Sequence, residues 1–181
     1  MIRSIQQFDA QVAECTKNLD AKLKGTDGKR HIVLCGGTGC LSSHSDQIME
    51  EFKRHYIDMK EPIHFRKCQI TDTELDDGSF ATLARCTYTA NGIEKYFEGV
   101  GNGPIDAVQH GIEEALDIQI KVLDYNEHAL RSGSNAQAAS YIHVLDVATG
   151  RTTYGVGISS NITRASLRGI FSAVNRLFYH G

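Results

Sequence analysis

Apolar residues in the first third of the chain predict two helices on either side of a buried strand. The first helix is indicated by apolar positions at steps of three and four residues, namely Ile5, Phe8, Val12, Cys15, Leu19 and Leu23. It ends near Gly25, and the continuous apolar run of residues 31–35 predicts the strand. Ser45 begins the second helix, which Pro62 closes and whose apolar side carries Ile48, Met49, Phe52 and Tyr56.

From residue 63 onward the spacing is that of strands and tight turns, and the same series of elements occurs twice. Each series has a hairpin, a Gly-rich segment and an amphipathic helix. The first comprises a hairpin over 80–97 turning at Asn91-Gly92 and a helix from Pro104, and a strand over 63–70 is expected before it. The second comprises a hairpin from Ala138 turning at Thr149-Gly150 and a helix after Asn161, and a strand over 118–130 is expected between the two series.

Aligning Gly99-Val100-Gly101 with Gly155-Val156-Gly157 superposes the two series. We therefore predict an α+β fold with an internal duplication of β-hairpin, Gly turn and helix around a pseudo-twofold axis. This duplicated domain covers residues 63–181, and a small α/β segment covers residues 1–62.

The Gly-rich segments before the two helices are the candidate ligand sites. A helix start leaves N–H groups unpaired and presents the positive end of the helix dipole, which suits a carboxylate or a phosphate. The alternative is that the glycines only permit a sharp reversal from strand to helix. Two copies of the segment, at residues 98–107 and 154–163, favour the ligand site.

Composition narrows the function classes. A chain of 181 residues with 41% hydrophobic and 23% charged residues is typical of a soluble globular protein, and we expect it in the cytoplasm because it has no signal-peptide pattern. The net charge of −3 without a dense Lys/Arg cluster argues against nucleic acid or an anionic membrane as a partner. Five cysteines argue against a disulfide framework and leave reduced thiols or metal ligands.

Residues 30–43 resemble the thioredoxin-like ferredoxin module of flavin-binding subunits of NADH dehydrogenases and NAD(P)-linked hydrogenases, a likeness that covers about residues 1 to 60. Those modules hold a two-iron, two-sulfur cluster with a Cys-x4-Cys pair and a later Cys-x3-Cys pair. Cys35 and Cys40 match the first pair, and Cys68 is a candidate third ligand, but Asp72 stands where the fourth cysteine is needed. The resemblance implies an electron-transfer component as the alternative function. Because the fourth cysteine is missing, we expect that one chain alone binds no cofactor.

A more extensive resemblance covers about residues 65 to 178. The segments 98–108, 123–125 and 154–175 resemble the C-terminal regulatory dimer domain of α-isopropylmalate synthases. The resemblance implies a homodimer that binds leucine at its interface and inhibits a separate catalytic acyltransferase barrel in leucine biosynthesis. Homocitrate and citramalate synthases share the domain, and the citramalate enzymes respond to isoleucine, so the effector is expected to be leucine or a related branched-chain amino acid.

The resemblance also implies which residues bind the effector: Gly101, Asn102, Gly103, Pro104, Ile105, Asp106, Val122, Tyr125, Ala129, Ala136, Ala138, Asn161 and Ile162. Helix-start amides suit the effector's carboxylate, Asp106 its ammonium, and the apolar residues its branched side chain. Alternatives remain open from the residues themselves. Asp106 also suits the first turn of its own helix, Tyr125 a half-buried strand, and each alanine simple close packing.

No catalytic centre is expected in this chain. The catalytic barrel of such synthases holds a divalent metal partly through a His-x-His pair, and the eight histidines include no such pair. A barrel of that kind needs about 250 residues. Nucleophile-elbow, Walker A and Cys-x-x-Cys motifs are also missing from the sequence.

Overall fold

The structure is a computed structural model that describes residues 9–10, 12–14, 16–17, 37–42, 44–130 and 136–179, with only the backbone at Cys40. It divides into two compact units, Met1–Met49 and Glu50–Gly181. The described residues between 9 and 17 are helical, as predicted. Two helices follow, α1 (Thr38–Ser42) and α2 (Ser45–Tyr56), and α2 begins at the predicted residue. The predicted strand at residues 31–35 lies outside the described residues.

The rest of the chain repeats the order strand, strand, strand, helix, which confirms the α+β class and the internal duplication. The elements are β1 (Ile63–Glu74), β2 (Phe80–Ala90), β3 (Ile93–Gly101), α3 (Pro104–Leu116), β4 (Ile120–Ala129), β5 (Ala138–Asp146), β6 (Thr152–Ser159) and α4 (Ile162–Phe178). Each triplet of strands forms one antiparallel sheet in sequence order.

Strand register defines which residues of the two repeats are equivalent. Both first strands carry a β-bulge, between Phe65 and Lys67 in β1 and between Val122 and Asp124 in β4. Ala84 of β2 pairs with both Ile70 and Gly99, and Ser140 of β5 pairs with both Glu127 and Gly157.

Gly157 is therefore the equivalent of Gly99, and the predicted alignment of Gly99 with Gly155 is wrong by two residues. The loop between β5 and β6 is longer than the Asn91-Gly92 turn of the first repeat, which shifts the register of the return strand.

Each of the two helices packs on its own sheet and also contacts the other repeat. Helix α3 packs on β2 and β3 and also contacts β4, while α4 packs on β5 and β6 and also contacts β1. Phe171 of α4 reaches the first sheet, where its ring centroid lies 5.3 Å from that of Phe65 and 6.3 Å from that of Phe97. The buried residues consequently form one core that includes both sheets and both helices.

Glycines set the distance between each helix and the last strand of its own sheet. Gly99 and Gly101 lie within β3, and Gly155 and Gly157 lie within β6, so these glycines do not form the predicted turns. A Cβ at Gly99 would overlap the carbonyl oxygen of Ala107 and lie 2.6 Å from the amide nitrogen of Gly111. The strand backbone therefore packs directly against the helix backbone.

The second repeat has the same contact. A Cβ at Gly157 would overlap the carbonyl oxygen of Ala165 and lie 2.5 Å from the amide nitrogen of Gly169. Gly101 is similarly restricted, because a Cβ there would lie 2.5 Å from the amide nitrogen of Ala107. Close approach of helix and strand, rather than freedom of the backbone to turn, is what requires glycine here.

Polar side chains on each helix bind the start of the first strand of the other repeat. Asn175 of α4 is buried, accepts a hydrogen bond from Ile63 N at 3.0 Å and donates to Ile63 O at 2.7 Å. The equivalent residue, Ile120, donates its N–H to Glu113 at 2.9 Å and accepts from Gln109 at 3.0 Å. The same backbone groups are thus satisfied by different side chains in the two repeats.

Two of the cysteines are paired. Cys68 of β1 and Cys86 of β2 lie directly opposite each other and are joined by a disulfide, with their Cα atoms 4.0 Å apart. The expectation of reduced thiols or metal ligands is therefore wrong for these two residues. The register places both side chains on one face of the sheet, and adjacent strands bring opposed residues within disulfide range.

Close helix–strand packing predicts that Gly99→Ala and Gly157→Ala each destabilise the fold by about 3 kcal/mol, because a methyl group has no room between two backbones. Gly103→Ala is the control, since a Cβ there meets no atom within 4 Å. It should cost less than about 1 kcal/mol. Urea denaturation followed by circular dichroism measures all three. Equal stability of Gly99→Ala and Gly103→Ala would contradict the packing.

The buried amide predicts a large loss for Asn175→Leu, because Ile63 would keep neither of its side-chain partners. We expect a destabilisation of about 2 to 4 kcal/mol by chemical denaturation, the cost of two unpaired buried backbone groups. Asn126→Leu, an exposed change of the same kind on β4, should change the free energy of unfolding by less than about 0.5 kcal/mol. Comparable losses in the two variants would contradict this role of Asn175.

Candidate effector site

Residues Gly101 to Asp106 form the start of α3. Gly103 is the N-cap residue, with an extended backbone at φ −176° and no side chain to cap the helix, and Pro104 follows in the first turn. The carboxylate of Asp106, in the first turn, accepts a hydrogen bond at 2.8 Å from the N–H of Asn102, the residue before the N-cap. Of the two alternatives for Asp106, its role in its own helix start is present in the structure.

One oxygen of Asp106 is directed toward the imidazole of His110. His110 Nε2 lies 3.8 Å from Asp106 Oδ1, while His110 Nδ1 lies 2.7 Å from the carbonyl oxygen of Val100. Both side chains are partly exposed. The start of α3 therefore presents a carboxylate beside the helix amides, and this combination suits a ligand that carries both a positive and a negative group.

One face of α3 is held against the inner face of β4. Gln109 donates to the carbonyl oxygen of Ile120 and accepts from Val122 N at 3.4 Å. Ile105 lies one turn earlier on the same face of the helix and packs against the core, as does Val122. We name the region between the start of α3 (Gly101–Asp106) and β4 the α3–β4 site, and the predicted effector residues Ile105 and Val122 lie on its two elements.

Tyr125 connects β4 with the first turn of α4. Its hydroxyl donates to the Glu127 carboxylate and lies 3.2 Å from Ser166 Oγ, which in turn donates to the carbonyl oxygen of Ile162 at 3.0 Å. Burial and, after it, the hydrogen bond to Glu127 raise the pKa of Tyr125. Ser166 thereby links Tyr125 with Ile162, two predicted effector residues on different elements.

The predicted alanines gather at one end of the second sheet. Ala129 of β4 pairs with Ala138 of β5, and Ala138 pairs with Ser159 at the end of β6. Ala136 is partly buried and precedes β5 by two residues. Small side chains at this end leave the inner face of the sheet open next to the start of α4.

Asn161 belongs to the start of α4. Its side chain caps α4 by accepting a hydrogen bond from Arg164 N at 2.8 Å. It lines a cavity of about 420 Å³ between β1 and the first turns of α4, together with Phe65, Ile70, Arg164 and Leu167. We name this the β1–α4 cavity. Among the described residues, no hydrogen bond or ring contact joins Gly101–Asp106 to Asn161.

The pseudo-twofold axis relates the α3–β4 site to the β1–α4 cavity. The N-cap residues Gly103 and Asn161 are equivalent, and so are Val122 and Phe65. Sequence reasoning missed the residues that complete both places, namely Gln109, Ser166, Phe65 and Arg164. The internal duplication was the available signal, but the equivalence of these residues requires the strand register and helix starts of the structure, because the alignment predicted from the sequence is displaced by two residues.

Metal ligation gains no support from the described part of the chain. There, no group of three or more His, Cys, Asp or Glu side chains is arranged to hold a metal ion. Of the two candidate cluster ligands, Cys35 lies outside the described residues and the side chain of Cys40 is not described.

In the part of the chain that the structure describes, no helix is long and apolar enough to cross a membrane.

Comparison with known proteins agrees with the second resemblance. A family model described as the LeuA allosteric (dimerisation) domain matches residues 43–178. The 2-isopropylmalate synthase of Mycobacterium leprae (strain TN) is 40% identical over 134 residues, which are 72% of this chain and 21% of that protein. The 2-isopropylmalate synthase of Parafrankia sp. (strain EAN1pec) is 53% identical over 87 residues, 48% of this chain and 15% of that protein.

A third relative, the 2-isopropylmalate synthase of Cupriavidus taiwanensis, is 35% identical over 136 residues, 75% of this chain and 22% of that protein. The chain thus spans about a fifth of the length of these two longer-matching relatives. The family match begins at residue 43 and therefore includes α2 as well as the duplicated region.

The surroundings of His64 predict that the stability of the domain depends on pH. It lines a second cavity, of about 270 Å³, with Arg168 and Phe171. Burial and the charges of Lys60 and Arg66 lower its pKa from the ordinary value of 6.5. As the pH falls below about 6.5, the unfolded chain therefore binds a proton that the folded chain does not, and the free energy of unfolding decreases.

We expect the urea midpoint to fall between about pH 7.5 and pH 5 in the parent protein, and the fall to be smaller in His64→Gln, which has no proton to take up. His44→Gln, at an exposed histidine outside this cavity, is the control. Identical pH profiles for the parent and His64→Gln would contradict the assignment.

Proposed function

Because the chain belongs to the LeuA allosteric (dimerisation) domain family, we propose that it is the amino-acid-binding regulatory part of an acyltransferase of the 2-isopropylmalate synthase type. Leucine is the proposed effector, and feedback inhibition of leucine biosynthesis in the cytoplasm the proposed role. The chain does no chemistry in this proposal. A separate catalytic barrel is its partner.

The observation that carries the proposal is the hydrogen bonding of α3 to β4, in which Gln109, one turn after Ile105, contacts both Ile120 and Val122. Gly103 leaves the first turn open, since a Cβ there would meet no atom within 4 Å. Backbone amides of this turn suit the effector's carboxylate, and Asp106 suits its ammonium. The branched side chain then lies between Ile105 and Val122, both of which pack at the edge of the core.

The remaining predicted residues complete the site in this proposal. Tyr125 and Glu127 extend the β4 wall, and the alanines at residues 129, 136 and 138 give a branched side chain room. Asn161 and Ile162 belong to the start of α4. We propose that Asn161 completes the site across the interface of a homodimer, because no hydrogen bond among the described residues joins it to Gly101–Asp106. Ile162 is linked to Tyr125 through Ser166 within one chain.

Dimer formation has support from the outer faces of the sheets. The outer face of β3 exposes Tyr96 (81%) and Val100 (57%), and the outer face of β6 exposes Tyr154 (54%). Tyr154 stacks on His143 of β5 with ring centroids 4.0 Å apart. Exposed aromatic surface on a rigid sheet is typical of protein interfaces.

The ferredoxin-like resemblance of about residues 1 to 60 and the domain boundary between residues 62 and 63 stay predictions. No observation in the described residues favours electron transfer over regulation. We propose that α2 belongs with the regulatory domain, and the inclusion of residues 43 to 62 in the family match supports this.

Titration calorimetry of the full chain with leucine, isoleucine, valine and lysine tests the effector. We expect leucine to bind and lysine not to bind, since a cationic side chain does not suit an apolar slot. Gly103→Val should weaken leucine at least tenfold while leaving the fold intact, because its added methyl groups occupy the open first turn. Asp106→Asn should also weaken leucine, because it removes the charge but keeps an acceptor for Asn102 N.

Gly39→Val in α1 is the matched control, since a Cβ there also meets no atom within 4 Å and the residue lies outside the family match. It should bind leucine within twofold of the parent, and sedimentation should give a dimer for every variant. Failure of all four amino acids to bind, or undiminished leucine affinity in both site variants, would refute the proposed site.

A further inference from the structure

The β1–α4 cavity has the walls of a ligand site. Its apolar surface comes from Phe65 and Ile70 on β1 and from Leu167 on α4, which is 2% exposed. Its volume of about 420 Å³ falls within the range of small-molecule sites. A body of five or six carbon atoms therefore has space against these side chains.

The charged residues of the cavity are cationic, and its other polar side chains are Asn161 and Thr163. Lys67 and Arg164 line it, and none of its lining residues is a carboxylate. Arg164 is positioned over the ring of Phe65, with Cζ 5.9 Å from the ring centroid. This contact keeps the guanidinium at the edge of the apolar wall, where it can pair with an anionic head group while the apolar body lies deeper.

Equivalent positions in the α3–β4 site carry the opposite charge. Helix register makes Arg164 the equivalent of Asp106, because each is the third residue after its N-cap. Strand register makes Lys67 the equivalent of Asp124, directly after the bulge. The α3–β4 site and the β1–α4 cavity thus share a helix start and apolar residues. The α3–β4 site suits an ammonium group, and the β1–α4 cavity does not.

The β1–α4 cavity and the α3–β4 site also differ at one residue of their strands. Ile70 is the equivalent of Glu127, because they pair with the equivalent residues Ala84 and Ser140. The β1–α4 cavity therefore has an apolar side chain where the α3–β4 site has a carboxylate. A ligand with an amino group would find no acceptor among the charged side chains that line the cavity.

We propose that the β1–α4 cavity binds a short branched carboxylate that lacks an amino group. Its carboxylate pairs with Arg164 and Lys67, and its branched body packs against Phe65, Ile70 and Leu167. The cavity is then a second site beside the proposed leucine site, with selectivity for an acid rather than an amino acid. The proposal rests on the walls and charges of the cavity and does not depend on which effector binds at the α3–β4 site.

The test is titration calorimetry of the full chain with 4-methylpentanoate, which has the carbon skeleton of leucine without its amino group. We expect saturable binding that Arg164→Gln weakens at least tenfold. Thr163→Phe, which places a ring into the cavity from the first turn of α4, should abolish it. Titration with 4-methyl-2-oxopentanoate shows whether a 2-oxo group is tolerated, and leucinamide, which lacks a carboxylate, should not bind there.

Two controls separate this site from general charge effects and from the leucine site. Arg85→Gln removes the same charge from β2, where Arg85 pairs with Glu98 away from the cavity, and should leave the affinity for 4-methylpentanoate within twofold. Asp106→Asn should weaken leucine but not 4-methylpentanoate.

The proposal is overturned if 4-methylpentanoate does not bind saturably, or if Arg164→Gln and Thr163→Phe both bind it as the parent does. It is also overturned if leucine competes for the same site with equal affinity. Loss of leucine binding with retained 4-methylpentanoate binding would refute the leucine site alone, so the two proposals fail separately.

Discussion

Each helix of the duplicated region lies so close to the last strand of its own sheet that a side chain between them has no room. Gly99 faces Ala107 and Gly111 in the first repeat, and Gly157 faces Ala165 and Gly169 in the second. This backbone contact fixes where each helix begins relative to its sheet. The geometry of both helix starts, and with it the position of every candidate ligand group, depends on these contacts.

The second constraint is that each helix also contacts the first strand of the other repeat. Each helix covers its own sheet and also binds the first strand of the other repeat, through Asn175 in one case and through Gln109 and Glu113 in the other. Because the backbone groups at Ile63 and Ile120 lie in the core, leaving them unpaired would cost more than these polar side chains lose on burial. The two repeats therefore form one core and are not two independent units.

The duplication gives the domain two equivalent regions, the α3–β4 site and the β1–α4 cavity, whose charged residues differ. The backbone is repeated closely enough to preserve the bulge, the strand register and the helix start in both copies. Charges have diverged, with Asp106 replaced by Arg164 at the equivalent position. A fold that presents two helix starts beside two sheets can bind two classes of ligand without a change in architecture.

The sequence by itself determined the elements and their repetition. Periodicity and turn residues predicted the hairpin over residues 80–97, the helix from Pro104 and the capped helix after Asn161, because these signals act within a few residues of each other. The family resemblance located the α3 start as the candidate site, and residues 43–178 belong to that family.

Only the tertiary structure decided what the glycines do, which cysteines pair and how the repeats align. Gly99 and Gly157 are required because the helices that follow them in the chain pack directly onto them. The neighbouring residues in the sequence do not indicate how closely a helix approaches its strand. Cys68 and Cys86 pair because strand register opposes them. Register and close packing are long-range properties, so the equivalence of Arg164 with Asp106 emerged only once both sheets were in place.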